Sequence, residues 1–464
     1  MHAPLLRLVR LLMAALVLGL ALVQPASAQS ILRDSETEVL FKDISKPLIE
    51  AAGLNPGSVD IVLLNDPEIN AFVATGQKVY IQSGLLTSAD NVNQLQGVIA
   101  HELGHVAGGH AIRIQEGAGE ATGITLATLV LGALAVAAGA PDAGLGIIAA
   151  GQRAALGKFL AFTRAQESSA DLAGARYLTT AGISGRGSLE FFKKLQNQEY
   201  RLAIYAKDSY DRTHPISSER IASLEKIYQN DPAWNRKPPA ELEERFQRVK
   251  AKLVGFVDPK QAVIKYPESD DSIPAHYARA YAYHLGAYPD KALREADILL
   301  SRRPGDPFFL ELKGQVLLES GKPAEALAPL REAVKAAPDQ PLIAAMLGHA
   351  LISTEKKQNF AEAKDLLKVA VNRDNQNPFA WYQLGVIYDR EGDPSRAALA
   401  TAERENLEGN PRLAMVSAEM AMRGIPPGTP DYIRAQDIAM VARAELRKTD
   451  KKFDREEKKR DERQ

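Results

Sequence analysis

The sequence has no cysteine among its 464 residues. That excludes disulfides and a lipoprotein-type anchor. A chain that is stable in an oxidising compartment without disulfides relies on its core, and this length supplies one. No excess of one charge is present either: 57 basic residues face 58 acidic ones, for a net charge of −1. Nothing in that balance suggests a nucleic-acid partner. The apolar share of 45% and charged share of 25% are ordinary for a globular protein, and the length allows two or more domains. Apolar runs are also short for a comfortable membrane span. The first covers residues 11–23, and the second, residues 124–140, is at the low edge of what can cross a bilayer.

The first run has the form of a targeting segment. Arg7 and Arg10 precede it and Pro25-Ala26-Ser27-Ala28 follows, so cleavage after Ala28 and secretion into a bacterial periplasm are expected. Removing residues 1–28 deletes two arginines and no acid, which moves the charge to −3. The second run is rich in glycine and alanine, and apolar residues resume at 145–150 after Pro141-Asp142. Residues 124–150 are expected to form a helical hairpin that covers an active-site cleft or rests on a membrane surface. A peptidase embedded in the membrane is the rival this stretch would support.

His101-Glu102-Leu103-Gly104-His105 fits H-E-x-x-H. Two imidazoles four apart share one helix face and can grip one zinc ion, with the adjacent glutamate as general base. A water activated by the metal can then attack a peptide carbonyl near neutral pH. Val92, Leu95, Val98 and Ile99 precede the motif at helical spacing, with Asp90 or Asn91 as N-cap. A helix from about residue 91 to about residue 115 is expected. Gly108 suits a longer motif whose third ligand is a histidine at position 111, but Ala111 stands there. His110, nine residues beyond His101, lies about 180° away on an ideal helix. It is read as a packing or supporting histidine.

A carboxylate from a second helix is the better third ligand. In Glu167-Ser168-Ser169-Ala170-Asp171 the two acids share a face. Glu167 completes a His2-Glu site with an open fourth position, as a catalytic zinc requires. Asp171 is placed to hydrogen-bond a ligand imidazole and fix its tautomer.

The ordered set of His101 to His105, Glu167 to Asp171 and Thr213-His214-Pro215 with Arg220 resembles the zinc metallopeptidases that include the CAAX prenyl endopeptidase and the heat-shock membrane protease. Asn70-Ala71-Phe72, Tyr80-Ile81 and Gly84-Leu85-Leu86 match the same pattern. The resemblance extends over roughly residues 30 to 440, where it is strongest to periplasmic members that carry helical repeats. It implies a gluzincin with one zinc per chain, held by His101, His105 and Glu167, with Glu102 as general base. It also implies degradation of misfolded outer-membrane proteins and help with their assembly at the barrel-insertion machinery.

His214 lies in a loop, because proline disfavours helix for the residue before it. A helix follows, capped by Ser217 or Ser218. His214 and Arg220 are both candidates to hold the oxyanion. His214 is alternatively a fourth zinc ligand that keeps the enzyme latent, or a loop histidine without metal contact. Residues 60–64, 70–73 and 78–82 read as strands around a Thr75-Gly76-Gln77 turn. Asn70, Ala71 and Phe72 are expected to present an edge that holds substrate as an added strand. Unfolded or misfolded proteins would then be accepted with broad specificity.

The C-terminal region repeats. Gly314 and Gly348 are 34 apart, as are Pro307 and Pro341; Ala326 and Ala363 are 37 apart. Trp381-Tyr382-Gln383-Leu384-Gly385 fits the tetratricopeptide pattern, so paired helices are expected. The expected organisation is a mostly α chain. An α+β zincin-type metallopeptidase domain at 29–257 is followed by a linker at 258–274 and an α-solenoid at 275–447. A charged tail at 448–464 ends the chain. The solenoid would bind a protein partner. A chaperone or scaffold acting through it is the alternative to a protease.

Overall fold

The computed structural model describes residues 30–74, 77–137, 141–202, 214 and 217–461. The expected signal segment, Thr75-Gly76 of the turn, and Thr213 and Pro215 of the histidine loop lie outside those residues.

A four-stranded sheet begins the fold. Its strands are β1 (Ser30–Leu32), β2 (Asp60–Asn65), β3 (Ala71–Ala74) and β4 (Lys78–Gln82), in the order β1-β2-β4-β3. β2 and β4 are parallel, and the outer pairs are antiparallel. β3 is therefore an edge strand. Helix α1 (Ser35–Ala51) starts where Asp34 caps the Thr37 amide at 2.8 Å. Short α2 (Ser83–Ser88) leads to α3 (Val92–Ala107), which carries the H-E-x-x-H motif and is capped by Asn91. Leu95, Val98, Ile99 and Leu103 of α3 share one core with Leu40, Ile44, Val79 and Ile81, so the motif stands on a rigid element.

The single helix expected over 91–115 is two helices. α3 stops at Gly108-Gly109, with Gly109 at φ +63, a left-handed conformation that glycine adopts without steric cost. The chain turns there, and α4 (His110–Ala137) runs out in a new direction. It returns as α5 (Pro141–Ala181), a helix of 41 residues. The two form the expected hairpin. Two glycines decide where α5 crosses α3. A Cβ at Gly104 would lie 2.7 Å from the Ala170 carbonyl oxygen, and one at Gly174 3.0 Å from the Ala100 carbonyl. Only this backbone-to-backbone approach brings Glu167 and Asp171 onto the motif histidines. Helices α6 (Arg186–Leu202), α7 (Ser218–Gln229) and α8 (Ala240–Val257) complete the domain.

Residues 258–274, expected to be a linker, contain α9 (Pro259–Lys265). Pro259 is its first helical residue after an Asp258 cap, a favoured place for proline. The solenoid consists of α10 (Ile273–Leu285), α11 (Pro289–Arg302), α12 (Pro307–Glu319), α13 (Pro323–Ala336), α14 (Pro341–Ser353), α15 (Phe360–Arg373), α16 (Pro378–Arg390), α17 (Pro394–Leu407), α18 (Pro411–Gly424) and α19 (Pro430–Asp461). These form five helix pairs. The periodic prolines begin helices. Gly314 and Gly348 face Leu330 and Leu367 of the paired helix so closely that a Cβ would stand at 2.4 and 2.7 Å. The three extra residues form a turn of 3-10 helix, Lys357–Asn359. The charged tail continues α19 to Asp461.

The solenoid is fastened to α1 by buried charges. Arg248 reaches Glu36 at 2.8 Å and Asp306 at 2.9 Å. Lys252 reaches Asp34 at 2.8 Å and Glu36 at 3.1 Å. Tyr277 donates to Glu36, and Ser35 to Glu311. Beside this junction lies a cavity of about 340 Å³. Leu32 and Phe256 line it from the first domain; Tyr281, Gln315, Met346 and Phe379 line it from four successive repeats.

Candidate metal centre

Four buried side chains converge at the crossing of α3 and α5: His101, His105, Glu167 and His214, with donor atoms all within 4.8 Å of one another. His101 Nε2 lies 3.1 Å from His105 Nε2 and 3.3 Å from His214 Nδ1. The Glu167 carboxylate is 3.4 Å from His101, 3.3 Å from His105 and 3.2 Å from His214. A tetrahedral zinc with bonds of about 2.1 Å requires donor separations of about 3.4 Å. Five edges, taking either oxygen of Glu167, lie at 3.1–3.4 Å, and all four donors lie within 4.8 Å of one another; nitrogen and carboxylate oxygen are donors that zinc accepts.

The outward nitrogens of both motif histidines are also held, as metal ligands require. His101 Nδ1 is 3.0 Å from Asp171 Oδ1. Arg220 grips that aspartate through Nε at 2.6 Å and Nη2 at 2.8 Å. Burial opposes ionisation of Asp171, but its bonds to Arg220 and His101 hold its carboxyl below the ordinary value. Glu167 is held down likewise, against burial, by the three histidines. Burial alone would push His101 down, yet Asp171 and Glu167 lift it to about 10. Proton and metal would compete for that imidazole. Burial pushes His105 down.

His110 stands beside His105, with its Nδ1 2.9 Å from His105 Nδ1 and its Nε2 3.2 Å from Ser169 Oγ. It reaches there only because the helix breaks at Gly109. The ideal-helix geometry that set it 180° away does not apply, although it remains outside the converging set. Burial and the neighbouring imidazole lower it to about 4. Glu102 is fully buried, and its two carboxylate oxygens have no hydrogen-bond partner among the described residues. Its nearest recorded contact is His214 Nε2 at 3.6 Å. A buried acid left this free has a job that the folded chain alone does not give it.

Arg220, expected as an oxyanion donor, is placed otherwise. Both its bonds to Asp171 and a contact of 3.2 Å to Glu167 point it at the ligand helix, so it orders the acids behind the metal position. Phe192 packs against the His101 ring and beneath the Arg220 guanidinium. Nothing in the local sequence around Phe192 signalled that contact. Of the edge residues, Ala71 adjoins the site: its carbonyl lies 3.2 Å from His214 Nε2. Phe72 stacks on Tyr80 with 5.2 Å between centroids, and Asn70 is buried beside α2.

Residues 36–228 match the model of peptidase family M48. The chain is 26% identical over 357 residues to the beta-barrel assembly-enhancing protease of Yersinia pestis, covering 75% of this chain and 71% of that protein. It is 27% identical over 281 residues to the protein of the same name in Escherichia coli K12, covering 58% of this chain and 56% of that one. The chain thus spans little more than half the length of the latter. The solved structure of TTC0263, a TPR protein of Thermus thermophilus, covers 36% of this chain at 17% identity with a TM-score of 0.28.

Proposed function

We propose, building on a domain of peptidase family M48 at residues 36–228, that this chain is a periplasmic zinc endopeptidase that cleaves unfolded or misfolded outer-membrane proteins. The observation that carries the reading is the convergence of four donors, with the buried Glu102 carboxylate beside them, free of hydrogen bonds and 3.6 Å from His214. Zinc, when bound, supplies a Lewis acid that polarises a carbonyl and makes water a stronger nucleophile. His101, His105 and Glu167 would hold it. Glu102 takes the proton from the attacking water and passes it to the leaving amine. Its burial away from competing hydrogen bonds leaves the carboxylate free for both transfers. Asp171, braced by Arg220, keeps His101 in the tautomer that presents Nε2.

His214 fills the fourth corner of the cluster and contacts the edge-strand carbonyl of Ala71. A substrate laid along β3 as an added strand needs that edge, and attack needs that corner. We read this arrangement as a latent form from which His214 withdraws when substrate binds. The name of these relatives connects them with barrel assembly, and this chain's repeats are suited to hold a partner in that process. A second reading, a chaperone acting through the repeats, draws on the cavity between β1 and the solenoid.

Glu102→Gln separates the two. A protease loses casein hydrolysis by about 10³-fold while retaining zinc by elemental analysis and suppressing unfolded-protein accumulation no better than an empty vector. A scaffold would keep its cellular effect in that variant.

A further inference from the structure

The arms of the α4–α5 hairpin between Glu120 and Arg153 carry none of the site residues and are poorly covered by the rest of the fold. Only 6% of the apolar window of α4 and 11% of that of α5 is buried. On α4, Leu126, Val130 and Leu134 are exposed. At 100° per residue they form one stripe, opposite the side where Thr128 packs against Gly151 of α5. On α5, Leu145 is exposed between Asp142 and Arg153, again away from the partner arm, and Leu156 and Leu160 continue that face on the water side of Arg153. The apolar surfaces are thus the two outer edges of the hairpin. A flat protein partner covers one edge and leaves the other in water. A medium that surrounds both arms covers both.

Charge sets the depth. Between Glu120 and Arg153 the only charged residue is Asp142. Asp142 and Arg153 are separated by about 16 Å along α5, so insertion to Arg153 carries the tip through one leaflet of roughly 15 Å and costs about 3 kcal/mol for the Asp142 carboxylate, which the apolar faces of both arms must offset. Below that level the hairpin carries charge again, with Glu120 paired to Lys158 at 3.4 Å.

We infer that the α4–α5 hairpin dips into one leaflet of a phospholipid bilayer, with Arg153 at the headgroups, and does not cross it. α5 runs unbroken from the hairpin to Glu167. Arg153 and Glu167 are about 21 Å apart along the helix, so the hairpin fixes the metal site at that height above the lipid. This consequence rests on the proposed peptidase, which would then act on chain segments close to a membrane surface. The lipid contact itself does not depend on catalysis.

The experiment is flotation of the purified full-length mature chain with phosphatidylcholine vesicles, comparing wild type with the triple variant Leu126→Glu, Val130→Glu, Leu134→Glu. The wild type floats with the vesicles at high salt, and the variant's floating fraction falls at least tenfold with its thermal melt unchanged. A Leu131→Trp variant is quenched by lipids brominated on the acyl chains, whereas Leu160→Trp is not. The inference is overturned if the wild type stays with the dense fraction, or if the triple variant floats equally. It is also overturned if the wild type forms a discrete dimer that the triple variant abolishes, because the stripes then cover each other. Catalytic failure of the protein with intact flotation would sink only the peptidase reading.

Discussion

Two of the buried charge clusters among the described residues are built on opposite plans. At the junction of α1 with the solenoid, acids and bases alternate: Glu36 and Asp306 flank Arg248, and Lys252 lies between Asp34 and Glu36. Each of these five charges has a partner of opposite sign within the group. At the crossing of α3 and α5, three imidazoles and a carboxylate aim their donor atoms at one point. The balancing cation, Arg220, stands outside that point. A cluster that closes fastens two parts of a fold. One whose lone pairs converge needs an added cation, because unpaired buried charge is costly. This difference, more than the motif by itself, separates a structural network from a metal centre.

The largest effect expected from breaking the comparison is on the open cluster. Chelation should abolish casein hydrolysis and lower the melting temperature, since a metal that binds only the folded state stabilises it. Restoring zinc should recover both. Lowering the pH should release the metal as protons claim His101, which equilibrium dialysis at stepped pH would follow. At the closed cluster, Arg248→Met takes the ion-pair partner from Asp306 and one of two bases from Glu36, which keeps Lys252. A cost of about 3–5 kcal/mol is expected in denaturant unfolding, with zinc content unchanged. A smaller effect is expected from His214→Ala, which vacates the fourth corner and frees the Ala71 carbonyl. Turnover of casein should rise several-fold in steady-state assays, and unchanged or lost turnover would contradict latency.

The smallest effect belongs to Glu311, the one acid of the junction that the bases do not fully compensate. Burial, with Asp34 nearby, raises its carboxyl to about 8 from an ordinary 4.5. A raised folded-state value means the unfolded chain releases this proton more readily. The contribution is present in full below about 4.5 and is lost as pH climbs through about 8. Glu311→Gln should therefore raise the melting temperature by a few degrees at pH 9 and leave it nearly unchanged at pH 5.

The contrast also explains what could be read from the sequence. His101 and His105 were legible because helical spacing fixes their common face, and Glu167 with Asp171 obeys the same rule one helix later. The solenoid was legible because its glycines and prolines recur at fixed intervals. Gly108-Gly109 was read as part of one helix because its neighbours are good helix formers; the break, and with it the place of His110, depends on a left-handed residue that spacing does not reveal. Arg220 was assigned to the oxyanion because its distance from Asp171 in sequence hides a bidentate pair. The junction was invisible for the same reason. Glu36, Arg248 and Asp306 read singly as surface charges, and only the docked solenoid brings them together. The linker expected at 258–274 failed because an Asp-Pro pair marks a helix start as readily as a turn.

X-ray absorption at the zinc edge of the purified mature chain, beside its His214→Ala variant, bears most directly on the proposed centre. Three imidazole nitrogens and one carboxylate oxygen are expected around a single zinc in the wild type, falling to two imidazoles with an added light ligand in the variant. Two imidazoles in both proteins would remove His214 from the metal, and a chain purified without zinc would contradict the centre itself.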